Sequence, residues 1–209
     1  LLIVSSPDGQ LLRREPDGSL VTFADLGRPG WNDIVVDGRG NAYVNGAGFN
    51  PMAGEEFRPG SVHLVTADGA VRQVADDIAF PNGMAVTADN STLIVADSYR
   101  HQLVGSGIGA DGGLSGRRVW ADLGDGVPDG ICTDAQDAVW YADVPSRRCA
   151  RVAAGGAVLQ TVDLDRLQGA LTALTTRHPM LRTTFALGPA GPVQQAGPPD
   201  PSPRMPEPA

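Results

Sequence analysis

Along residues 1–161, short hydrophobic runs alternate with turns rich in Gly, Asp and Asn, and one unit of that pattern is reused. The clearest copy is Pro128-Asp129-Gly130-Ile131-Cys132-Thr133, a polar turn through Asp137, then Ala138-Val139-Trp140-Tyr141-Ala142-Asp143. Upstream copies run from Trp31-Asn32-Asp33 to Asn45 and from Pro81-Asn82-Gly83 to Asp97. Each has a short polar side chain beside Gly or Asp, a strand-like run, a polar turn and a second run ending near Asp or Asn. Aligning Asn32, Asn82 and Asp129 gives intervals of 50 and 47 residues, in the range of propeller blades.

A second half-unit follows each block, at Val62–Val71, Val104–Leu114 and Ala150–Val158, with a further copy at Leu11–Val21. Each places Asp-Gly or Gly-Gly between apolar residues, a hairpin signal because these turn positions accept positive φ. Block plus half-unit makes four strands, and such a sheet repeated radially is a propeller blade. Leu1-Leu2-Ile3-Val4-Ser5-Ser6 matches the second run of a block, so the sequence is expected to begin inside a unit. The long loop from Asn45 to Gly60, with Phe49, Met52, Glu55 and Glu56, reads either as a solvated surface loop or as cover for a central pocket.

From Val162 the texture changes. Leu164, Leu167, Leu171 and Leu174 recur at helical spacing across Leu164–Arg177, and Leu181–Leu187 reads as a strand. Gly188–Ala209 holds eight prolines and reads as a disordered tail. The expected architecture is therefore all-β: an incomplete, open β-propeller over 1–161, a helix–strand appendage over 162–187 and a Pro-rich tail over 188–209. Three complete units and a partial one leave unpaired sheet edges, which invite self-association.

Charge narrows the classes of function. With 16 basic and 24 acidic residues the net charge is −8, which gives no footprint for nucleic acid or an anionic membrane. No apolar run approaches the roughly 18 residues of a membrane span. Cys132 and Cys149 lack zinc-ligand spacing and read as reduced thiols within strands. His63, His101 and His178 have no evident nucleophile partner, and no Gly-x-Ser-x-Gly elbow is present. The expected location is the cytoplasm, any leader lying upstream of residue 1.

In a propeller the innermost strands line the axis, so Asn32, Asn82 and Asp129 are expected to meet there. Amide and carboxylate oxygens suit a hard cation such as Ca²⁺, which accepts six to eight oxygens in irregular geometry. Gly83 and Gly130 are expected to permit close backbone approach, and Pro81 and Pro128 to fix the entering φ. Asp97 and Ser98, after the second block, read as a strand-end turn or as channel-facing groups. Singly, Pro-Asn-Gly and Pro-Asp-Gly are ordinary turns; three copies in one phase make a candidate site.

The succession Asn32-Asp33, Pro81-Asn82-Gly83-Met84 and Pro128-Asp129-Gly130-Ile131-Cys132, with Asp76-Asp77-Ile78-Ala79-Phe80 and Ala121-Asp122-Leu123-Gly124, resembles the senescence-marker-protein and gluconolactonase family of six-bladed propellers. That resemblance implies a calcium-dependent hydrolase of sugar lactones or related cyclic esters. By motif, Asn82 and Asp129 match the family's metal-binding Asn and Asp, and Asn32 an Asn that contacts substrate or the metal shell. Asp129 is also implied to orient or deprotonate the attacking water. The family's metal-binding Glu, in a Glu-Gly-Pro segment, would lie upstream of residue 1, and Gly30 replaces an Arg often found two residues before the first Asn. Separately, Val162 to Phe185 resembles the opening helix and strand of condensation domains in nonribosomal peptide synthetases, without the catalytic His-His-x-x-x-Asp-Gly. The competing expectation is a non-catalytic propeller remnant or binding module joined to a peptide-synthetase fragment.

Overall fold

The computed structural model describes residues 1–164, 169, 173, 174, 177, 183–188 and 191–196. Contacts divide the chain into two compact units, Leu1–Thr161 and Val162–Ala209. The first is built from consecutive antiparallel sheets. The first sheet has three strands, β1 (Leu2–Ser5), β2 (Gln10–Arg14) and β3 (Leu20–Asp25). Then come β4 (Trp31–Val36), β5 (Ala42–Gly46), β6 (Gly60–Val65) and β7 (Val71–Ile78), joined in that order. The next sheet is β8 (Pro81–Val86), β9 (Thr92–Asp97), β10 (Gln102–Ile108) and β11 (Leu114–Asp122), and the last is β12 (Pro128–Thr133), β13 (Val139–Asp143), β14 (Arg148–Val152) and β15 (Val158–Asp163). Up-and-down sheets repeated in chain order are the blades of an open, partial β-propeller.

Turn chemistry sets each inner hairpin. Asp37 accepts from the Arg39 and Asn41 N–H groups at 2.9 Å each, and Asp134 accepts from Gln136 at 2.8 Å and Ala138 at 3.1 Å. Thr87 holds the equivalent corner, its Oγ1 accepting from the Thr92 N–H at 3.0 Å. Such side-chain caps fix the turn before any long-range contact forms.

Neighbouring sheets bury their faces against each other. Leu11, Ala24, Trp31, Val44 and Val65 fill the space between the first two sheets; Tyr43, Val62, Leu64, Met84, Leu93 and Val95 fill the next; Ile94, Leu103, Trp120, Val139, Tyr141 and Val152 fill the third. Second strands therefore lose their alternation where both faces are covered. Every residue of β5 is buried, as are Leu93–Asp97 of β9, whereas β13 alternates because only one face meets another sheet within the unit. Each fully buried Val, Leu or Ile contributes about 1.5–3 kcal/mol of burial.

In the second unit, β16 (Thr183–Gly188) pairs antiparallel with β17 (Gly191–Ala196). Residues 191–196 thus form a strand inside the stretch expected to be a disordered tail. Pro192, opposite Leu187, is tolerated because a two-stranded ribbon is all edge. The helix expected over Leu164–Arg177 and the end of the tail lie mostly outside the described residues.

Candidate functional site

The inner strands β4, β8 and β12 lie side by side, and each carries the same irregularity. Trp31 pairs with Gly46 and Ile34 with Val44, so three steps on β4 face two on β5. The count is identical for Pro81/Met84 on β8 against Asp97/Val95, and for Pro128/Ile131 on β12 against Asp143/Tyr141. These are β-bulges, in which one extra residue bends a strand and re-aims a side chain. Asn32, Asn82 and Asp129 each sit inside one. All three line a single cavity of about 430 Å³, together with Trp31, Phe49 and Phe80 among others.

Hydrogen bonds tie the inner strands together. Asn32 Nδ2 donates to Asn82 Oδ1 at 3.0 Å. The Asn45 amide donates to the Asn82 carbonyl and accepts from the Asp33 N–H at 3.3 Å. Asp33 Oδ2 accepts from the Met84 N–H at 2.7 Å, joining β4 to β8. Ser98 Oγ donates to the Pro128 carbonyl at 2.6 Å, joining the end of β9 to β12. Ser98 is therefore a cross-sheet clasp. Asp97, fully buried, accepts from the Ala79 and Phe80 N–H groups at 3.1 and 3.0 Å, so it secures the lead-in to β8 rather than facing the cavity.

Backbone contact between β8 and β12 is made possible by one glycine. A Cβ on Gly83 would lie 2.5 Å from the Ile131 nitrogen and 2.6 Å from the Asp129 oxygen. The matching expectation for Gly130 does not hold, since a Cβ there meets nothing within 4 Å. The reason is directional: a Cβ on Gly83 would point into β12, whereas one on Gly130 would point into open space.

Electrostatics at the site centre on Asp33 and Asp129. Burial pushes the Asp33 carboxyl above its ordinary value, partly offset by N–H donation from Met84 and Ile34, and the nearby Asp129 charge adds to the upward push. Asp129 is half-buried, and among the described residues its carboxylate accepts no hydrogen bond. An unbonded carboxylate beside two amide oxygens is a donor set suited to a hard cation. His63 packs edge-on to Trp31 at 4.6 Å and, half-buried beside Arg28, is held below its usual range chiefly by burial. Cys132 and Cys149 are free thiols.

The Asn45–Gly60 loop does border the cavity, through Ala47, Phe49, Asn50 and Pro51. Asn50 caps a 3-10 turn over Pro51–Ala53 by accepting from the Met52 and Ala53 N–H groups. Sequence reasoning misses the four aromatic rings that gather at this rim. Phe80 stacks on Tyr99 at 4.7 Å, and Phe49 meets Phe57 edge-on at 5.4 Å. It also misses Asn45 and Ser98 as positioning groups; their only signal is a polar residue at the end of a second strand.

Blades of this topology with oxygen-bearing side chains on their bulged inner strands define a propeller protein with an axial polar cavity. The chain belongs to the family described as SMP-30/Gluconolactonase/LRE-like region, whose model matches residues 2–185. That match runs across the segment resembling a condensation domain and gives that resemblance no support. Regucalcin of Gallus gallus is 27% identical over 158 residues, 69% of this chain and 52% of its own. The solved structure of a calcium-binding protein, regucalcin, from Agrobacterium tumefaciens superposes with a TM-score of 0.65 at 24% identity, over 78% of this chain and 59% of that one. A gluconolactonase from Xanthomonas campestris gives 0.58 at 25% identity, over 74% and 55%. The chain thus spans a little over half the length of these relatives. No helix among the described residues is long and apolar enough to cross a membrane.

Proposed function

We propose that this chain carries the metal-binding and substrate-facing part of a lactone hydrolase, with Asn82 and Asp129 holding Ca²⁺ or another divalent cation and Asn32 contacting the cyclic ester. The observation that carries this reading is the threefold bulge, which turns Asn32, Asn82 and Asp129 into one cavity from separate sheets. Membership of a family whose relatives include a gluconolactonase and a calcium-binding regucalcin supports it. When bound, the cation would supply Lewis-acid polarisation of the ester carbonyl. Asp129, whose carboxylate accepts no hydrogen bond among the described residues, would take a proton from an attacking water. The Asn32–Asn82 amide bond fixes the facing edge of the site, and Ser98 and Asn45 hold β12 and β8 in register so that this edge stays aligned.

A second reading, a binding module without turnover, is favoured by one observation. Among the described residues no three His, Cys, Asp or Glu side chains come together, and of the two proposed ligands Asp129 alone is a carboxylate. Calorimetric calcium titration paired with a lactone hydrolysis assay separates the two. Saturable binding with turnover, both lost in Asp129→Ala, supports the hydrolase; binding without turnover supports the module. Hydrolysis at the parent rate in Asp129→Ala overturns the role given to that residue.

A further inference from the structure

Between β7 of the second sheet and β10 and β11 of the third lies a recess of about 230 Å³, which shares no lining residue with the axial cavity. Three arginines line it: Arg100, which ends a short 3-10 turn after β9, and Arg117 and Arg118 of β11. Neighbours on a regular strand point to opposite faces. Here Gly105 pairs with Arg118 and Gly107 with Ser115, so three steps on β11 face two on β10, and this bulge lets both arginines reach one recess.

The three guanidiniums are held differently. Arg100 donates to the Asp77 carbonyl at 2.7 Å and to its Oδ1 at 2.9 Å, while Arg117 donates to Asp77 Oδ2 at 3.3 Å and to the Asp76 carbonyl. Asp77, whose φ of 49° lies in the left-handed region, is thereby gripped from two sides. That grip orients two guanidinium planes and leaves the Nε–H of each without a partner among the described residues. Arg118, exposed, has no hydrogen bond or ion pair among the described residues.

Asp77 is the one acidic side chain on the lining. Asp97, 3.5 Å from Arg100, is fully buried and already accepts from the Ala79 and Phe80 N–H groups. The recess therefore holds a guanidinium with no counter-charge, in a chain whose net charge is −8. Charge that only guards an edge strand needs β11 alone; it calls neither for Arg100, from another segment, nor for a cavity among the three. Ile78, Val104 and Val119 add an apolar wall. Guanidinium forks match the oxygens of a phosphoryl group, and the wall suits a short apolar ester substituent.

We propose that this recess binds a small phosphate monoester. Arg118 supplies the unspent fork, Arg100 and Arg117 the braced ones, and the ester substituent lies against Val104 and Val119.

The test titrates phenyl phosphate into the full chain by calorimetry at low salt with no divalent cation added, beside phenol and inorganic phosphate. Phenyl phosphate is expected to bind saturably and more tightly than inorganic phosphate, and phenol not at all. Arg118→Ala is expected to weaken phenyl phosphate about 10-fold, the loss of a hydrogen bond to a charged group. Arg118→Lys should recover only part of that loss, because an ammonium keeps the charge without the fork. Both variants should melt with the parent, since Arg118 holds nothing in the fold. Arg14→Ala, which removes an exposed arginine of the first sheet, should leave binding unchanged. Any one of four results overturns the proposal: no saturable binding, inorganic phosphate bound as tightly as phenyl phosphate, parent-like binding in Arg118→Ala, or an equal loss in Arg14→Ala.

Discussion

Replacing Gly83 with Ala tests how the two inner strands meet. The added methyl would stand 2.5 Å from the Ile131 nitrogen, 2.6 Å from the Asp129 oxygen and 2.8 Å from the Gly130 Cα, all of them backbone atoms. No rotamer can relieve contacts with backbone, so β12 must move away from β8. Forcing a methylene into a filled space costs about 1–3 kcal/mol. For a chain of this size, about 2 kcal/mol lowers the melting temperature by roughly 4–8 °C. The same shift separates Asp129 from Asn82, so cation affinity should fall about 10-fold, as it does when the groups supporting a metal ligand are disturbed. Gly130→Ala is the internal control. Its methyl meets nothing within 4 Å, so it should melt within about 2 °C of the parent, as surface changes of under about 0.5 kcal/mol do. Circular dichroism melts and calcium titration of both variants are the assay. A silent Gly83→Ala, or a Gly130→Ala as costly as its counterpart, would refute the account of strand approach.

Other consequences follow from the same geometry. Tyr43, fully buried, donates to the Gly112 carbonyl at 2.9 Å, and Tyr43→Phe should lose about 1–2 kcal/mol in denaturant unfolding because that oxygen is left without its donor. Burial, with Asp37 adding to it, pushes the Tyr43 phenol up to about 12. The unfolded chain therefore ionises first, so stability that is complete below about pH 10 should fall as pH rises toward 12, less steeply in Tyr43→Phe. Asp97→Asn turns an amide N–H₂ toward one of the two buried N–H donors of Ala79 and Phe80 and should cost about 1–3 kcal/mol by the same unfolding assay. Asp77, exposed, is held below the usual carboxylate range first by its bond to Arg100 and then by Arg117. Its contribution is present above the ordinary carboxylate value and lost as pH falls through the lowered one. The acid limb of the stability curve should be shallower in Asp77→Asn, a difference that high salt removes.

Much of the fold was legible because its causes are local. Asp37, Thr87 and Asp134 set equivalent turns within a few residues of themselves, and the in-phase positions of Asn32, Asn82 and Asp129 follow from the repeat alone. What was not legible depends on neighbours distant in sequence. Gly83 and Gly130 sit in near-identical motifs and approach each other, yet only at Gly83 would a Cβ point into the neighbouring strand. Asn45 and Ser98 act on backbone carbonyls 37 and 30 residues away. Phe49 and Phe57 share a loop with no periodicity, while Phe80 precedes β8 and Tyr99 follows β9, so no pattern in the chain announces that four rings meet. Pro192 marked its surroundings as a tail, although a two-stranded edge accepts a proline that an inner strand would not.

On the proposed function, three bulged strands share one cation-binding cavity beside Trp31, and terbium luminescence tests this most directly. Terbium, a calcium mimic, should show emission sensitised by Trp31 that calcium displaces, that Trp31→Phe abolishes without loss of calorimetric calcium binding, and that Asp129→Ala and Asn82→Ala each remove. Sensitised emission that persists in Trp31→Phe and in Asp129→Ala would place any bound ion elsewhere and contradict the account.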